Sequence, residues 1–226
     1  MEDSLPGPGY PYQTDEEMAA LEEIGHTIRR PAGSAFMMEG DYGDFALLIK
    51  KGHVKVTSGK PPRIVAIRGP GDIVGELAVI HSKPRSASVF ALDDVEALQL
   101  PAADWLRFLY AHPRAMHAQW AITAQRTEQA VRKMAWSDLP VEQQLAKALL
   151  ELADSGIGEQ TSKGTVELRL SQQDLAAMIG TKKLDSVKKV IRQLKAAGAI
   201  ATGRQQVTIL DLAALRDIAA GDRAVP

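Results

Sequence analysis

Residues 70–89 read PGDIVGELAVIHSKPRSASV, and this stretch decides how the rest of the chain is understood. Gly75-Glu76-Leu77-Ala78 combines a tight backbone turn, free amides and one carboxylate. Nine residues after Glu76 stands Arg85, followed by the small residues Ser86, Ala87 and Ser88. Backbone amides, an arginine fork and a hydroxyl together suit an anion such as a phosphate. Glu76 would repel that anion, so it needs another task, and a ribose hydroxyl supplies one. A phosphate beside a ribose hydroxyl describes a cyclic nucleotide. The plainer reading of the same spacing is a surface turn with an ordinary Arg–Glu pair.

Upstream, residues 28–100 show short β-type runs punctuated by glycine: FALLIKKG, HVKVTS, RIVAI, SASVFAL and VEALQL. Strands of this length between turn residues predict an antiparallel barrel or roll. Ahead of them, DEEMAALEEI at residues 15–24 predicts a short helix with acids in its first turn, where they suit the helix dipole. The first fourteen residues are acidic and rich in Pro and Gly, with no basic start or apolar core, and are read as a flexible lead-in.

Downstream, from Pro113 to Trp136, the period becomes helical. His117, Trp120, Ala124, Thr127, Val131 and Met134 alternate in steps of three and four, the seam of a helix that pairs with another helix. Beyond Pro140 the chain is compact: VEQQLAKALLELADSG, SQQDLAAMIG and SVKKVIRQLKAAG predict helices, TVELRLS a short extended piece, and AIATGRQQVTIL a β-hairpin. Two short helices joined by a turn and followed by a hairpin make a winged helix-turn-helix. The expected class is α+β, with a tail (1–14), an antiparallel β-roll (15–111), a dimerisation helix (112–137) and a winged helix-turn-helix (138–226).

GELAVIHSKPRSASV resembles the phosphate-binding cassette of cyclic-nucleotide-binding domains, whose pattern is G-E-L-A…P-R-x-A, and EGDYGDFALLIKKGHVKVTS resembles that family's early strands. With the winged helix, the chain from about residue 15 resembles the Crp/Fnr family of bacterial transcription regulators. The resemblance implies that Glu76 holds the ribose 2′-hydroxyl and Arg85 pairs with the cyclic phosphate. Gly75, Leu77, Ala78 and Ser86 would assist them. It further implies base contact from the long helix, where Thr127 is the counterpart. Glu128 stands where the best-known cyclic-AMP receptor has a small hydroxyl residue. Thr127 also reads independently as a polar residue setting register in the seam.

In KKLDSVKKVIRQLK, residues 182–195, six basic residues stand against the single acid Asp185. On one helix they suit phosphate neutralisation and entry into a major groove. The residues expected to meet DNA are Lys182, Lys183, Asp185, Ser186, Lys188, Lys189 and Arg192, with Ser171, Gln172 and Gln173 at the preceding helix start. Family members commonly read G-x-S-R-E-[TS]-V here, whereas this chain reads Gly180-Thr181-Lys182-Lys183-Leu184-Asp185-Ser186-Val187, one residue longer. Lysine lacks the bidentate fork that arginine presents to guanine, so base readout should differ.

The composition of 226 residues narrows these expectations. There are no cysteines, which excludes disulfides, Cys-ligated zinc, thiolate iron–sulfur clusters and the redox-sensing branch of the resembled family. Lys+Arg is 27 against Asp+Glu 28, an average over an acidic tail and a basic segment. No Ser/His/Asp or HExxH-type arrangement suggests an enzyme, no metal site is expected, and His81 and the other histidines make weak haem ligands. No apolar run reaches membrane-span length, so the expected location is cytoplasmic. The expected ligand is cyclic AMP. The expected partners are a second copy of the chain, double-stranded DNA with a two-fold-symmetric site, and RNA polymerase. The alternatives are a regulator that is ligand-independent or responds to cyclic di-GMP, and a nucleotide-binding protein whose degenerate DNA-reading helix leaves it acting through protein contacts.

Overall fold

The computed structural model describes residues 14–161, 164–179 and 184–224. The first part of the chain forms α1 (Asp15–Ile24), β1 (His26–Arg30), β2 (Ala35–Met37), β3 (Phe45–Lys51), β4 (Val54–Ser58) and β5 (Arg63–Arg68). There follow β6 (Ile73–Val74), α2 (Glu76–His81), β7 (Ser88–Ala91), β8 (Val95–Pro101), α3 (Ala102–Ala111) and α4 (Pro113–Trp136). The remainder comprises α5 (Val141–Asp154), β9 (Glu159–Gln160), β10 (Val166–Leu168), α6 (Gln172–Ile179), α7 (Leu184–Ala196), β11 (Ile200–Gly203), β12 (Gln206–Ile209) and α8 (Leu212–Ala220). The chain divides into two compact units, Met1–Val54 with Arg68–Arg132, and Lys55–Ile67 with Lys133–Pro226.

In the first unit an antiparallel sheet runs in the order β1-β8-β3-β6, and β2 pairs with β7. Strand β3 is flanked on both sides, and Ala46, Leu47, Leu48 and Ile49 are all buried, so it shows a continuous apolar run instead of alternation. Its register against β8 sets Leu48 opposite Leu98 and Ala46 opposite Leu100. One face of this sheet meets Leu21 of α1 and Trp105, Phe108 and Leu109 of α3 in a single core. Helix α1 is held at its start by a capping box in which Thr14 and Glu17 exchange hydrogen bonds, and buried Glu17 also receives the guanidinium of Arg114. Helix α3 was not anticipated in the sequence reading; the spacing of Trp105, Phe108 and Leu109 gives it an apolar face.

Helix α4 presents two different faces. Ala115, Ala118, Gln119 and Ile122 are buried, whereas the seam residues Trp120, Val131 and Met134 are 64%, 62% and 74% exposed. In the second unit, α5 buries Leu145, Leu149 and Leu152 and packs against α8, which was not anticipated either. The sheet order here is β11-β12-β10-β9, and β11 pairs with β12 as the expected hairpin, Ile200 opposite Ile209. The antiparallel sheets, long helix and helical C-terminal unit match the expected α+β class. The division differs from the expected boundaries at two places: it cuts α4 after Arg132, and it assigns Lys55–Ile67, from the middle of the sheet region, to the C-terminal unit. No helix among the described residues is long and apolar enough to cross a membrane.

Candidate functional site

The stretch expected to form a turn beside short strands contains a helix, α2, which begins at Glu76 directly after Gly75. Gly75 has φ of +80°, and a Cβ there would stand 2.5 Å from Met37 Cε and 2.7 Å from Arg85 Nη1. Backbone conformation and space therefore both require glycine at the cassette's pivot. Two main-chain bonds strap the cassette to the loop before β3: Gly40 N donates to Arg85 O and Arg85 N donates to Asp41 O, each at 2.8 Å. Ser88 Oγ accepts from Glu39 N at 2.8 Å.

Arg85 is 4% exposed. Its Nη1 donates to Gly75 O and its Nη2 to Phe45 O, both at 2.7 Å, and the guanidinium lies 4.7 Å from the centre of the Phe45 ring. A Cβ on Gly43 would stand 2.5 Å from Arg85 Nη2, so that glycine serves as clearance for the guanidinium. Burial draws the Arg85 pKa below its ordinary value, against the opposing pull of Asp44 and Glu76. Two carbonyls, an aromatic face and a bare backbone thus fix an arginine in one orientation at the cassette.

Glu76 is 5% exposed, and its partner is Arg126 on α4. Arg126 Nη1 donates to Glu76 Oε1 at 2.6 Å and to Ile73 O at 2.9 Å, and Nη2 donates to Asp72 Oδ1 at 3.0 Å. The ordinary Arg85–Glu76 pair left open by the spacing is therefore replaced by a pairing between the cassette and the long helix. The cation compensates the carboxylate that would otherwise oppose an anion at Arg85. Arg126 lies off the seam that marks α4 in the sequence. The signal was present one face away, where Ala115, Ala118, Ile122 and Arg126 recur in steps of three and four.

Gly75, Glu76, Leu77, Ala78, Arg85 and Ser86 are thus gathered around α2 and the loop that follows it. Thr127 and Glu128 are not gathered with them. Both are exposed on α4, where Thr127 Oγ1 donates to Thr123 O at 2.9 Å and Glu128 approaches Arg132 at 3.9 Å.

In the C-terminal unit, Ser171 stands immediately before α6. Its Oγ accepts from Asp174 N at 3.1 Å, while Asp174 Oδ2 accepts from Ser171 N at 3.0 Å and from Ser171 Oγ at 2.6 Å. This reciprocal cap leaves Gln172 and Gln173 exposed in the first turn. Helix α7 buries Val187, Val190, Ile191 and Leu194 and exposes Asp185, Lys188, Lys189, Arg192 and Lys195; Ser186 is half-buried. A groove of about 440 Å³ is lined by Gln172, Asp185, Lys188, Ile191, Arg192, Lys195 and Thr202. It gathers three cations from one stripe of α7 with the start of α6 and the wing strand β11. Lys189 lies outside this groove. Lys182 and Lys183, with the lengthened turn, fall outside the described residues.

Residues 27–112 match the cyclic nucleotide-binding domain, and residues 143–218 match the Crp-like helix-turn-helix domain. The chain is 29% identical to the cyclic AMP receptor protein of Thermus thermophilus over 195 residues, 84% of this chain and 87% of that protein. It is 25% identical to the CRP-like cAMP-activated global transcriptional regulator of Mycobacterium tuberculosis over 200 residues, 86% and 88% of the two chains. Its fold is similar to the solved structure of the c-di-GMP responsive global regulator CLP of Xanthomonas campestris. The TM-score is 0.74 at 20% identity, covering 88% of this chain and 100% of that one.

Proposed function

The chain belongs to the Crp/Fnr family of transcription regulators, and we infer that it is a homodimer whose DNA affinity is set by cyclic AMP bound at the α2 cassette. The observation that carries this reading is the pair of buried, oppositely charged side chains, Arg85 and Glu76, each held by named partners. The cyclic phosphate takes Arg85, the amides of Gly75, Leu77 and Ala78, and Ser86. The ribose hydroxyl takes Glu76, which Arg126 holds in orientation. Because Arg126 belongs to α4, whatever alters the Glu76 carboxylate is felt by the long helix.

Exposed Trp120, Val131 and Met134 form the seam on which two copies of α4 pair, and Thr127 and Glu128 on that side meet the base across the pair. Pairing places two copies of α7 for two half-sites of a two-fold-symmetric DNA, with Lys188, Arg192 and Lys195 on phosphates. Ligand binding shifts the population toward the arrangement with correct half-site spacing.

Calorimetric titration with cyclic AMP, cyclic GMP and cyclic di-GMP tests the ligand, with Arg85→Ala as control. Cyclic AMP is expected to bind wild type, and the variant to lose about 30-fold or more, the worth of charge-assisted bonds to a phosphate. Equal binding by both proteins would remove the cassette from the site. Preference for cyclic di-GMP would replace cyclic AMP as the ligand.

A further inference from the structure

Phe45 opens β3 and differs from the four residues that follow it. Ala46, Leu47, Leu48 and Ile49 are buried, whereas Phe45 is half-buried. Its ring stands at the rim of the core, with the Arg85 guanidinium 4.7 Å from the ring centre. The carbonyl of the same residue accepts from Arg85 Nη2 at 2.7 Å. Two residues earlier, a Cβ on Gly43 would stand 2.5 Å from Arg85 Nη2 and 2.8 Å from Nε. One short run, Gly43-Asp44-Phe45, thus supplies an acceptor, an aromatic face and a clearance to a single side chain. All of these residues belong to the first unit.

That run is itself anchored. Asp44 O accepts from Ala102 N at 2.7 Å, and Phe45 lies opposite Pro101 of β8 in the sheet. A group seated on a strand is placed more precisely than one seated on a loop. Two of the five N–H donors of Arg85 go to Phe45 O and Gly75 O, and the others are left for a ligand. With both Nη groups tied, the guanidinium cannot turn to follow a phosphate, so the phosphate must bring its oxygens to donors already in place. A 3′,5′-cyclic phosphate carries two exocyclic oxygens. A fixed donor set meets them unequally, and a loose one meets them alike.

We propose that Gly43 and Phe45, which lie outside the cassette, are positioning residues for Arg85 and make the site select one of the two exocyclic oxygens of a cyclic phosphate. The inference rests on the ligand reading above. The ring of Phe45 holds the guanidinium plane, its carbonyl holds one end, and the bare backbone of Gly43 leaves room beside Nε and Nη2. Both residues act through Arg85, so their loss should blur the choice of oxygen even where nucleotide still binds.

The test uses the Sp and Rp phosphorothioates of cyclic AMP, in which sulfur, a weak acceptor, replaces one exocyclic oxygen or the other. Calorimetry on the full chain gives the ratio of the two affinities, and chemical denaturation checks that each variant folds. Wild type is expected to prefer one diastereomer by about tenfold or more, the worth of one charge-assisted bond. Phe45→Leu keeps the carbonyl and an apolar side chain but removes the ring, and its ratio is expected to shrink at least about threefold, the worth of a cation–π contact. Phe45→Tyr, which keeps the ring face, is expected to retain the ratio. Gly43→Ala meets only the tip of a flexible side chain and needs no left-handed φ, so it is expected to fold, with both the ratio and cyclic AMP affinity reduced.

A wild-type ratio near one overturns the proposal. So does a wild-type ratio in Phe45→Leu, whatever happens to affinity, since it leaves Phe45 a packing residue. Equal loss in Phe45→Tyr and Phe45→Leu overturns it in favour of side-chain shape. A wild type that binds none of cyclic AMP, cyclic GMP and cyclic di-GMP removes the ligand reading and this inference with it, an outcome distinct from nucleotide bound without stereochemical preference.

Discussion

The cassette and helix α7 both carry cations, but they hold them in opposite ways. Arg85 and Arg126 are tied by carbonyls and carboxylates within 2.6–3.0 Å, and Arg85 is almost wholly covered. Lys188, Lys189, Arg192 and Lys195 on α7 stand in solvent above a buried stripe of Val187, Val190, Ile191 and Leu194. A small anion offers few atoms, so affinity for it needs donors fixed in advance and shielded from water. A duplex offers a periodic line of phosphates, and mobile lysines on an exposed helix can neutralise it without prior fixation. The first region should therefore lose stability and binding together when cut, and the second should lose binding alone.

The largest effect is expected from Arg126→Met, which strands the Glu76 and Asp72 carboxylates. Chemical denaturation should show a loss of about 2–3 kcal/mol, and calorimetry a marked fall in nucleotide affinity. A fully stable variant would contradict the contrast at its root. Next comes Gly75→Ala, which puts a Cβ into Met37 and Arg85 at a left-handed φ; a loss of more than about 1 kcal/mol is expected in the same assay.

For the DNA face proposed on α7, Lys188→Ala with Arg192→Ala should leave the melting midpoint nearly unchanged and weaken binding across all sequences. The slope of log affinity against log salt should drop by about 2. Loss of stability there would mean that these cations are structural after all.

The smallest effect concerns acid. Burial pushes the Asp174 carboxyl up, but hydrogen bonds from Lys55 and Ser171 outweigh it and hold the group below the ordinary aspartate range. A depressed carboxyl contributes stability that is complete above its unfolded pKa of about 4 and is lost as pH falls through the lower folded value. Melts of wild type and Lys55→Met should differ by up to about 1 kcal/mol near pH 6 and converge as pH falls below the unfolded value of about 4. A difference that persists at low pH would show that Lys55 acts by packing alone.

Some of this was readable along the chain. The acids of the first turn marked α1 at Asp15–Ile24, and the likeness of GELAVIHSKPRSASV to the G-E-L-A…P-R-x-A pattern marked the cassette, while Thr14's capping role came only with the fold. AIATGRQQVTIL read as the hairpin of the wing, and β11 and β12 form it. Phe45 under Arg85 was not readable, because a ring in an apolar strand has many uses and only packing chooses one. The helical character of Glu76–His81 was hidden by its shortness and by flanking turns. Lys55 and Asp174 lie 119 residues apart, and nothing local in either segment asks for the other.

By itself, then, the sequence determined the order of most elements, though not the helices α2, α3 and α8, together with the residue types at the cassette and the local excess of positive charge on α7. These depend on periodicity, capping and near-neighbour spacing, which act over a few residues. Tertiary structure alone decided which charge meets which. It gave Glu76 to Arg126 instead of Arg85 and turned Arg85 onto two backbone carbonyls. A buried charge must find its partner wherever the packed chain brings one within reach, and that distance is set by the fold as a whole.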